Sequence, residues 1–490
     1  MNKKIIKIEI LFYAAFLFTC IFLLLQSPLA PFAKSINGVD SSVFIYSAQQ
    51  ILKGQTMYKD IVDHKGPFLY LINVVALFIF NGKWIGIWIF EIISLFIASI
   101  MMYKTARFFA DKISSSFAVI AALLFLGKLF AWENRTEEWA LPFISIAMYI
   151  FVAYFKENKP FTIIRLIILS LSFVLTFMLQ ANLVAIWVGF GIALLIKLIF
   201  EKKYNELIRS LLFISLFVLL FLLPFFLYFY YKGALSEAIY LVFKYNMFEY
   251  QPRSFISILG RSVGILAGLY YCLSIIPFII TVYMFFRDKT IINVSVILAF
   301  IVTSLSCAIG GRYEHYYMVF APLLVIPYSF IFAIVKDNFT KTKYVLLFIL
   351  FNFLIYDPAI AHLKDVVSNY SEAGYARSGV LPPQTMKILK NIIIQNTHPE
   401  DKILVKGNQS SLYLYSDRAC ATRFPYPIGG SSFANEYYVK DAEKALPKLI
   451  LQGWVVNNYD TVNFNIGNLL NEKYHLIPVS IEGVEIWKLK

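Results

Sequence analysis

The sequence predicts a polytopic α-helical membrane protein with a C-terminal extracytoplasmic α/β domain; at roughly 20 apolar residues per span it has room for about eleven spans. Three observations predict this. First, 59% of the 490 residues are hydrophobic and 15% are charged, with a mean hydropathy of +0.68. A soluble domain carries about 45–50% apolar and roughly 25% charged residues, so a soluble enzyme is excluded, and the same hydrophobicity excludes a disordered chain. Second, the net charge of +14 is unevenly placed: residues 358–490 hold 14 basic and 12 acidic side chains, a net of +2, which leaves +12 in the apolar part, mostly in short loops. Basic short loops are the positive-inside signature. A nucleic-acid footprint would instead be a basic face on a soluble domain, so no nucleic-acid partner is expected. Third, beyond residue 357 the pattern changes to short helical and strand-like segments.

The elements follow in order. Met1-Asn2-Lys3-Lys4 leads into an apolar run without a small-residue cleavage site, which reads as an uncleaved first helix with its N-terminus in the cytoplasm. A polar stretch runs from Gln26 to Lys65, with Pro28, Pro31 and an amphipathic piece from Asp40 to Lys53. The apolar run Phe68–Phe80 is too short to span and reads as interfacial or re-entrant. Loop charge supports this. If it does not cross, then Lys104, Arg107 and Lys112, Lys156 and Lys159, Lys202, Lys203 and Arg209, Arg287 and Lys289, and Lys336, Lys341 and Lys343 all face the cytoplasm. If it crosses, every cluster flips and the bias reverses. Spans are therefore expected near 10–26, 84–103, 114–131, 139–155, 161–179, 183–200, 209–231, 259–286, 291–309, 316–335 and 343–357. An odd number from a cytoplasmic start places the C-terminus outside.

The division is thus a transmembrane part, 1–357, and an extracytoplasmic domain, 358–490. In the latter, Thr385–Gln395 has helical periodicity and Lys402–Lys406 is strand-like. Val439–Leu451 reads as helical with Pro447 as a possible break, and Trp454–Asn458, Tyr474–Val479 and Val484–Leu489 read as strands. Cys20, Cys272, Cys307 and Cys420 are scattered, with neither metal spacing nor a disulfide framework.

The chemistry collects in the outer loops. The first carries Asn37-Gly38-Val39-Asp40, then Gly54-Gln55-Thr56-Met57-Tyr58-Lys59-Asp60 and Asp63-His64-Lys65-Gly66-Pro67. The second is Trp132-Glu133-Asn134-Arg135-Thr136-Glu137-Glu138, and a later one is Gly310-Gly311-Arg312-Tyr313-Glu314-His315-Tyr316-Tyr317. Carboxylates act as bases or hold a divalent metal; Arg, Lys and His hold phosphate. Both together beside a bilayer suit a lipid phosphate whose polar head is being transferred.

These residues carry a family resemblance. Gly38-Val39-Asp40, the Leu52–Asp60 run and His64-Lys65-Gly66-Pro67-Phe68-Leu69-Tyr70, with Arg135-Thr136-Glu137-Glu138 and Arg312-Tyr313-Glu314-His315-Tyr316 more weakly, resemble the C-type (GT-C) membrane glycosyltransferases, in the group of protein O-mannosyltransferases and aminoarabinose lipid A transferases. Two departures stand out. Lys65-Gly66-Pro67 replaces a lysine followed by two prolines, and Asp40 lacks an adjacent Glu, which leaves metal dependence open.

The resemblance implies inverting transfer of a sugar from a polyprenyl-phosphate donor in the membrane to a glycan, lipid or protein acceptor. It implies Asp40 as the catalytic base and Lys65, His64, Arg312 and His315 around the donor phosphate. Glu137 and Glu138 would orient the acceptor or a divalent metal, and Phe68–Phe80 would guide the prenyl chain.

Each assignment has a plainer counterpart. Asp40 would cap the helix that follows it. Lys65 and His64 would be interfacial anchors, and Arg135–Glu138 a solvated loop. Arg312 and His315 would pair with Glu314 in an aromatic belt. Glu91 and Lys128, in or near spans, are functional suspects or a structural pair. The loop 232–258 is either a roof over the site or a connector. At the level of function the rivals are a lipid or glycan transporter or flippase, which would gather polar groups near the midplane, and a glycan polymerase or ligase.

Overall fold

The computed structural model describes residues 3–127, 129, 134–249, 254–266, 275–288, 290–309, 313–337, 355–371, 380–426, 428, 432–453, 465–479 and 481–490. Helix α1 (Lys3–Leu24) is followed by α2 (Val39–Leu52) and α3 (Pro67–Ile79). Then come α4 (Ile85–Ala106), α5 (Lys112–Gly127), α6 (Thr136–Glu157) and α7 (Ile163–Phe177). A 3₁₀ turn, Ala181–Val184, leads into α8 (Ala185–Phe200), and α9 (Tyr204–Tyr231) follows. After the short α10 (Leu235–Ile239) the chain widens into a π-helix, Tyr240–Glu249. Helices α11 (Phe255–Leu266), α12 (Ile275–Asp288) and α13 (Ile291–Ile309) precede a 3₁₀ segment, Glu314–Phe320, that opens α14 (Ala321–Asp337).

Among the described residues six helical segments are long and apolar enough to cross a membrane: Ile85–Ala106, Thr136–Glu157, Ala181–Phe200, Tyr204–Tyr231, Ile291–Ile309 and Glu314–Ile334. Thr136–Glu157 is mostly buried inside the bundle, whereas α9 buries only Ser210 and Phe229 and turns its apolar surface outward, as a lipid-facing helix does. The span expected at 259–286 falls on α11 and α12, and the one at 343–357 lies almost wholly outside the described residues. At one end of the bundle, loop charges from separate segments meet: Lys112 pairs with Glu9 at 2.6 Å and Lys336 with Asp111 at 3.0 Å, and Lys156 sits 4.5 Å over the Phe109 ring. Lys112, Lys156 and Lys336, from three of the basic clusters, thus lie at one end of the bundle.

The C-terminal part carries α15 (Asp357–Tyr370), α16 (Pro383–Asn396), α17 (Ser411–Ser416), α18 (Ser432–Ala445) and α19 (Gly467–Lys473). They accompany a five-stranded sheet of β1 (Lys402–Val405), β2 (Ala419–Cys420), β3 (Leu449–Gln452), β4 (Tyr474–Ile477) and β5 (Glu485–Leu489), in the order β2-β1-β3-β5-β4. β2, β1 and β3 run parallel, with Ile403 opposite Cys420 and Leu449, and β5 and β4 complete the sheet antiparallel, Ile450 opposite Trp487. The parallel centre is buried on both faces, and Ile403, Leu404, Val405, Leu449, Ile450 and Leu451 form its continuous apolar runs.

The expectation of a helix over 439–451 is corrected. The helix is α18, which stops at Ala445 before Pro447, and Leu449–Gln452 is a strand. Proline removes a helix donor and clashes with the preceding turn, and the three apolar residues Leu449, Ile450 and Leu451 carry no 3.6-residue period to keep them helical. The segment 454–458 lies outside the described residues.

This domain sits on the first outer loop. The Val62 N–H donates to the Arg423 carbonyl at 2.7 Å, and the Cys420 N–H to the Tyr46 hydroxyl at 2.8 Å. The Lys34 N–H reaches the Asn369 carbonyl at 2.9 Å, and Trp84 packs edge-on against Tyr415.

Candidate functional site

The site is assembled by three segments at one end of the bundle. Gly38 starts α2, so Asp40 stands in its first turn without capping it; the Gly38 cap makes no side-chain bond. A carboxylate there is favoured by the partial positive charge of the helix N-terminus. Asp40 Oδ2 accepts from Arg135 Nη1 at 2.7 Å, across 95 residues of sequence. The same Nη1 lies 3.1 Å from Nε2 of His315. A guanidinium only donates, so Nε2 is the acceptor and the imidazole proton sits on Nδ1. His315 is thus joined to Arg135. The Asp40 side chain is 38% exposed against 11% for Arg135, so the carboxylate meets solvent while the guanidinium is held behind it. Arg135 Nε is buried without a hydrogen-bond partner.

Arg135 is held by the residue before it. Asn134 has a φ of +59°, a left-handed conformation that Asn tolerates better than most residues. Its N–H donates to Glu91, the charged side chain buried inside α4, at 2.5 Å. Its side-chain amide exchanges bonds of 2.8 and 3.0 Å with Asn73 of α3, and its Oδ1 also accepts from the Trp139 indole at 2.9 Å. Glu91 therefore has a structural partner: it fixes the loop from which Arg135 projects. Lys128, the other intramembrane suspect, lies outside the described residues, as does Arg312.

The Lys65 Nζ lies 3.5 Å from Gln180 Oε1, and the Thr136 hydroxyl lies 2.8 Å from the same oxygen and 3.0 Å from Glu137 Oε2. Thr136 has one proton and serves one of these acceptors at a time. Lys65 and Arg135 are both within electrostatic reach of His315. Glu137 and Glu138 are 1% exposed. They stand in the first turn of α6, next to Arg135 in the chain.

His64 belongs to a neighbouring cluster. The buried Asp63 carboxylate accepts from the His64 N–H at 2.7 Å and from the Tyr70 hydroxyl at 2.6 Å, with His64 Nδ1 at 3.3 Å. Burial works against ionisation, but His64, the Tyr70 hydroxyl and the Lys65 charge outweigh it and hold the Asp63 carboxyl below its ordinary range. The Tyr58 hydroxyl donates to the Lys65 carbonyl at 2.7 Å, which fixes the turn carrying Lys65. The segment after α10 does contact the site: Asn246 donates to the His64 carbonyl at 2.8 Å, and Tyr245 packs on the His64 ring.

Beside the Lys65 turn lies an apolar groove lined by Pro67, Met178, Phe229, Val242 and Phe243. Among the described residues no three of His, Cys, Asp and Glu gather as a metal-binding group, and a guanidinium already engages the Asp40 carboxylate. No step of the reading proposed for this site is routed through a metal ion.

Arg135 was visible in the sequence as part of a charged run, but its bond to Asp40 was not. Gln180 was missed. Its only signal is a short polar break, Gln180-Ala181-Asn182, between two apolar runs on the outer side.

No protein-family model and no curated protein matches the sequence. Solved structures share its fold. Crystal structures of ArnT from Cupriavidus metallidurans align at TM-scores of 0.60, bound to undecaprenyl phosphate, and 0.62, in the apo state. They are 12% and 11% identical; the first covers 98% of this chain and 97% of ArnT, the second 99% and 98%. The oligosaccharyltransferase AglB from Archaeoglobus fulgidus, in complex with an inhibitory peptide and a dolichol-phosphate, aligns at a TM-score of 0.56 with 13% identity, over 90% of this chain and 69% of AglB. The chain therefore has the fold of the C-type membrane glycosyltransferases, as the outer-loop residues led one to expect. It is a multi-pass membrane protein of that architecture with a C-terminal sheet domain.

Proposed function

We propose that the protein transfers a sugar from a polyprenyl-phosphate donor to an extracytoplasmic acceptor with inversion at the anomeric carbon. The observation that carries this reading is the meeting of Asp40, Arg135 and Lys65 at one membrane face beside an apolar groove. The lipid phosphates named with ArnT and AglB support the donor class. A transporter is less well supported, because the polar groups gather at the end of the bundle rather than midway along broken helices.

In this reading Asp40 Oδ2 is held by Arg135, and Oδ1 faces the acceptor hydroxyl. Asp40 takes the hydroxyl proton as the acceptor oxygen attacks the anomeric carbon. The bond from that carbon to the phosphate oxygen breaks, and its electron pair leaves on the polyprenyl phosphate. Lys65 and the unengaged nitrogens of Arg135 stabilise the developing charge. His315 positions Arg135, and Glu137 and Glu138 offset the cations from below. Arg312 joins the phosphate ligands from its loop, and His64 anchors the Lys65 turn rather than touching phosphate. The groove by Pro67 and Phe229, with α3, takes the first prenyl units. The acceptor is a glycan, lipid or protein hydroxyl.

The test is release of polyprenyl phosphate by purified protein from a panel of polyprenyl-phosphate sugars. Asp40→Asn is expected to lower turnover by about 10²- to 10⁴-fold, the usual contribution of a general base, with donor binding retained. Full turnover in that variant would remove Asp40 from the chemistry. No release from any donor by folded wild type would remove the transferase reading.

A further inference from the structure

A second cavity lies away from Asp40, where the first outer loop meets the sheet domain. It has a volume of about 440 Å³ and is lined from one side by Gln55, Lys59 and Asp60 and from the other by Lys402, Arg423 and Lys444. Nothing in the proposed reaction uses it. Tyr46, midway along α2, also borders it. At 1.5 Å rise per residue Tyr46 is about 9 Å along the helix from Asp40, so an extended acceptor with its reacting hydroxyl at Asp40 would reach this cavity.

The charges are unequal. Arg423 is engaged by Asp441 through Nε–Oδ2 at 2.8 Å and Nη2–Oδ1 at 3.0 Å. Asp60 accepts from the Thr56 N–H at 2.8 Å, and Lys59 reaches only the Lys232 carbonyl, at 3.4 Å. Lys402 and Lys444 are exposed, and among the described residues their side chains have no ion-pair or hydrogen-bond partner. Four cations against two carboxylates leave a charge of +2 on the walls, so an anionic ligand is favoured.

The backbone tells a saccharide from a peptide. β2 is the edge strand of the sheet, where a peptide would add as a further strand. Two groups along that edge are already engaged: the Cys420 N–H is bonded to the Tyr46 hydroxyl and, just past the strand, the Arg423 carbonyl accepts from the Val62 N–H. What remains on the walls is side-chain amide, carboxylate and ammonium, which suits the hydroxyls and acidic groups of a sugar. We infer that this cleft is a binding subsite for an acidic saccharide, bearing carboxylate or phosphate, in the acceptor of the transfer reaction.

The inference rests on the transferase reading, so it is tested by binding and not by turnover. The inactive variant Asp40→Asn in nanodiscs is titrated with a tetrasaccharide of glucuronic acid, with its carboxyl-reduced neutral counterpart and with inorganic phosphate, read by saturation-transfer NMR. The expected result is binding of the acidic tetrasaccharide at least tenfold tighter than the neutral one, lost in Lys402→Glu/Lys444→Glu and weakened by salt. Both lysines are exposed, so the double variant keeps its fold, which donor binding verifies. Equal binding of the neutral tetrasaccharide, survival of binding in the double variant, displacement by phosphate at equal concentration, or no binding at all would each overturn the inference. If transfer assays fail while this binding is found, the cleft is a saccharide site and its assignment to the acceptor falls with the transferase reading.

Discussion

At Gly66 an added Cβ would lie 2.0 Å from the Met178 carbonyl oxygen and 2.8 Å from that of Leu179. The backbone there is ordinary, with a φ of −69°, so the position needs glycine for close approach and not for a left-handed turn. Its N–H also donates to the Leu179 carbonyl at 3.0 Å. This gives a physical reason for the departure from the two-proline pattern: a proline at 66 would clash with Met178 and lose that bond. Gly66→Ala is expected to lower stability by about 1–3 kcal/mol, the usual cost of forcing atoms into a filled space, and Gly66→Pro by more. Thermal unfolding in detergent measures both, and an unchanged midpoint for Gly66→Ala would contradict the contact. Because Lys65 precedes this glycine, the same substitution is expected to reduce donor binding.

The loop between α2 and α3 is built around Asp63, and its titration has a definite sign. The folded carboxyl is held below its ordinary value, so its stabilising contribution is complete above the unfolded value near pH 4 and is lost as pH falls through the folded one. Asp63→Asn is expected to flatten the dependence of unfolding temperature on pH below about pH 4. At neutral pH it should cost about 1–3 kcal/mol through the weakened bond to the buried Tyr70 hydroxyl. A wild-type acid limb no steeper than the variant's would refute this. At this scale much was legible. The apolar run at 68–80 is the helix α3, and the piece from Asp40 is α2, because length and period are local properties. What was not legible joins distant residues. Arg135 and Asp40 are 95 positions apart, and Asn134 meets Asn73 and Glu91 from two other helices; no spacing rule links them. The strand at Leu449 was misread because three apolar residues next to a helix carry no period of their own.

At the scale of the whole molecule, sidedness follows from which loops meet. Glu9, Asp111, Lys112, Lys156 and Lys336 gather at one end through ion pairs and a cation–ring contact, and Asp40, Lys65, Arg135 and His315 gather with the sheet domain at the other. Short basic loops are retained in the cytoplasm, so the orientation we propose has the N-terminus inside and the site and C-terminal domain outside. Such a separation of the termini would require an odd number of crossings, the count the sequence leads one to expect if the short run at 68–80 does not span. Single cysteines placed in a cysteine-free background at Lys104 and Lys202, both exposed at the first end, are expected to react with a membrane-impermeant maleimide only after permeabilisation. Those placed at Lys53 and Lys473, exposed at the other, should react in intact cells. Labelling of all four in intact cells would deny the separation, and the reverse pattern would put Asp40 in the cytoplasm, where its acceptor would have to be sought instead.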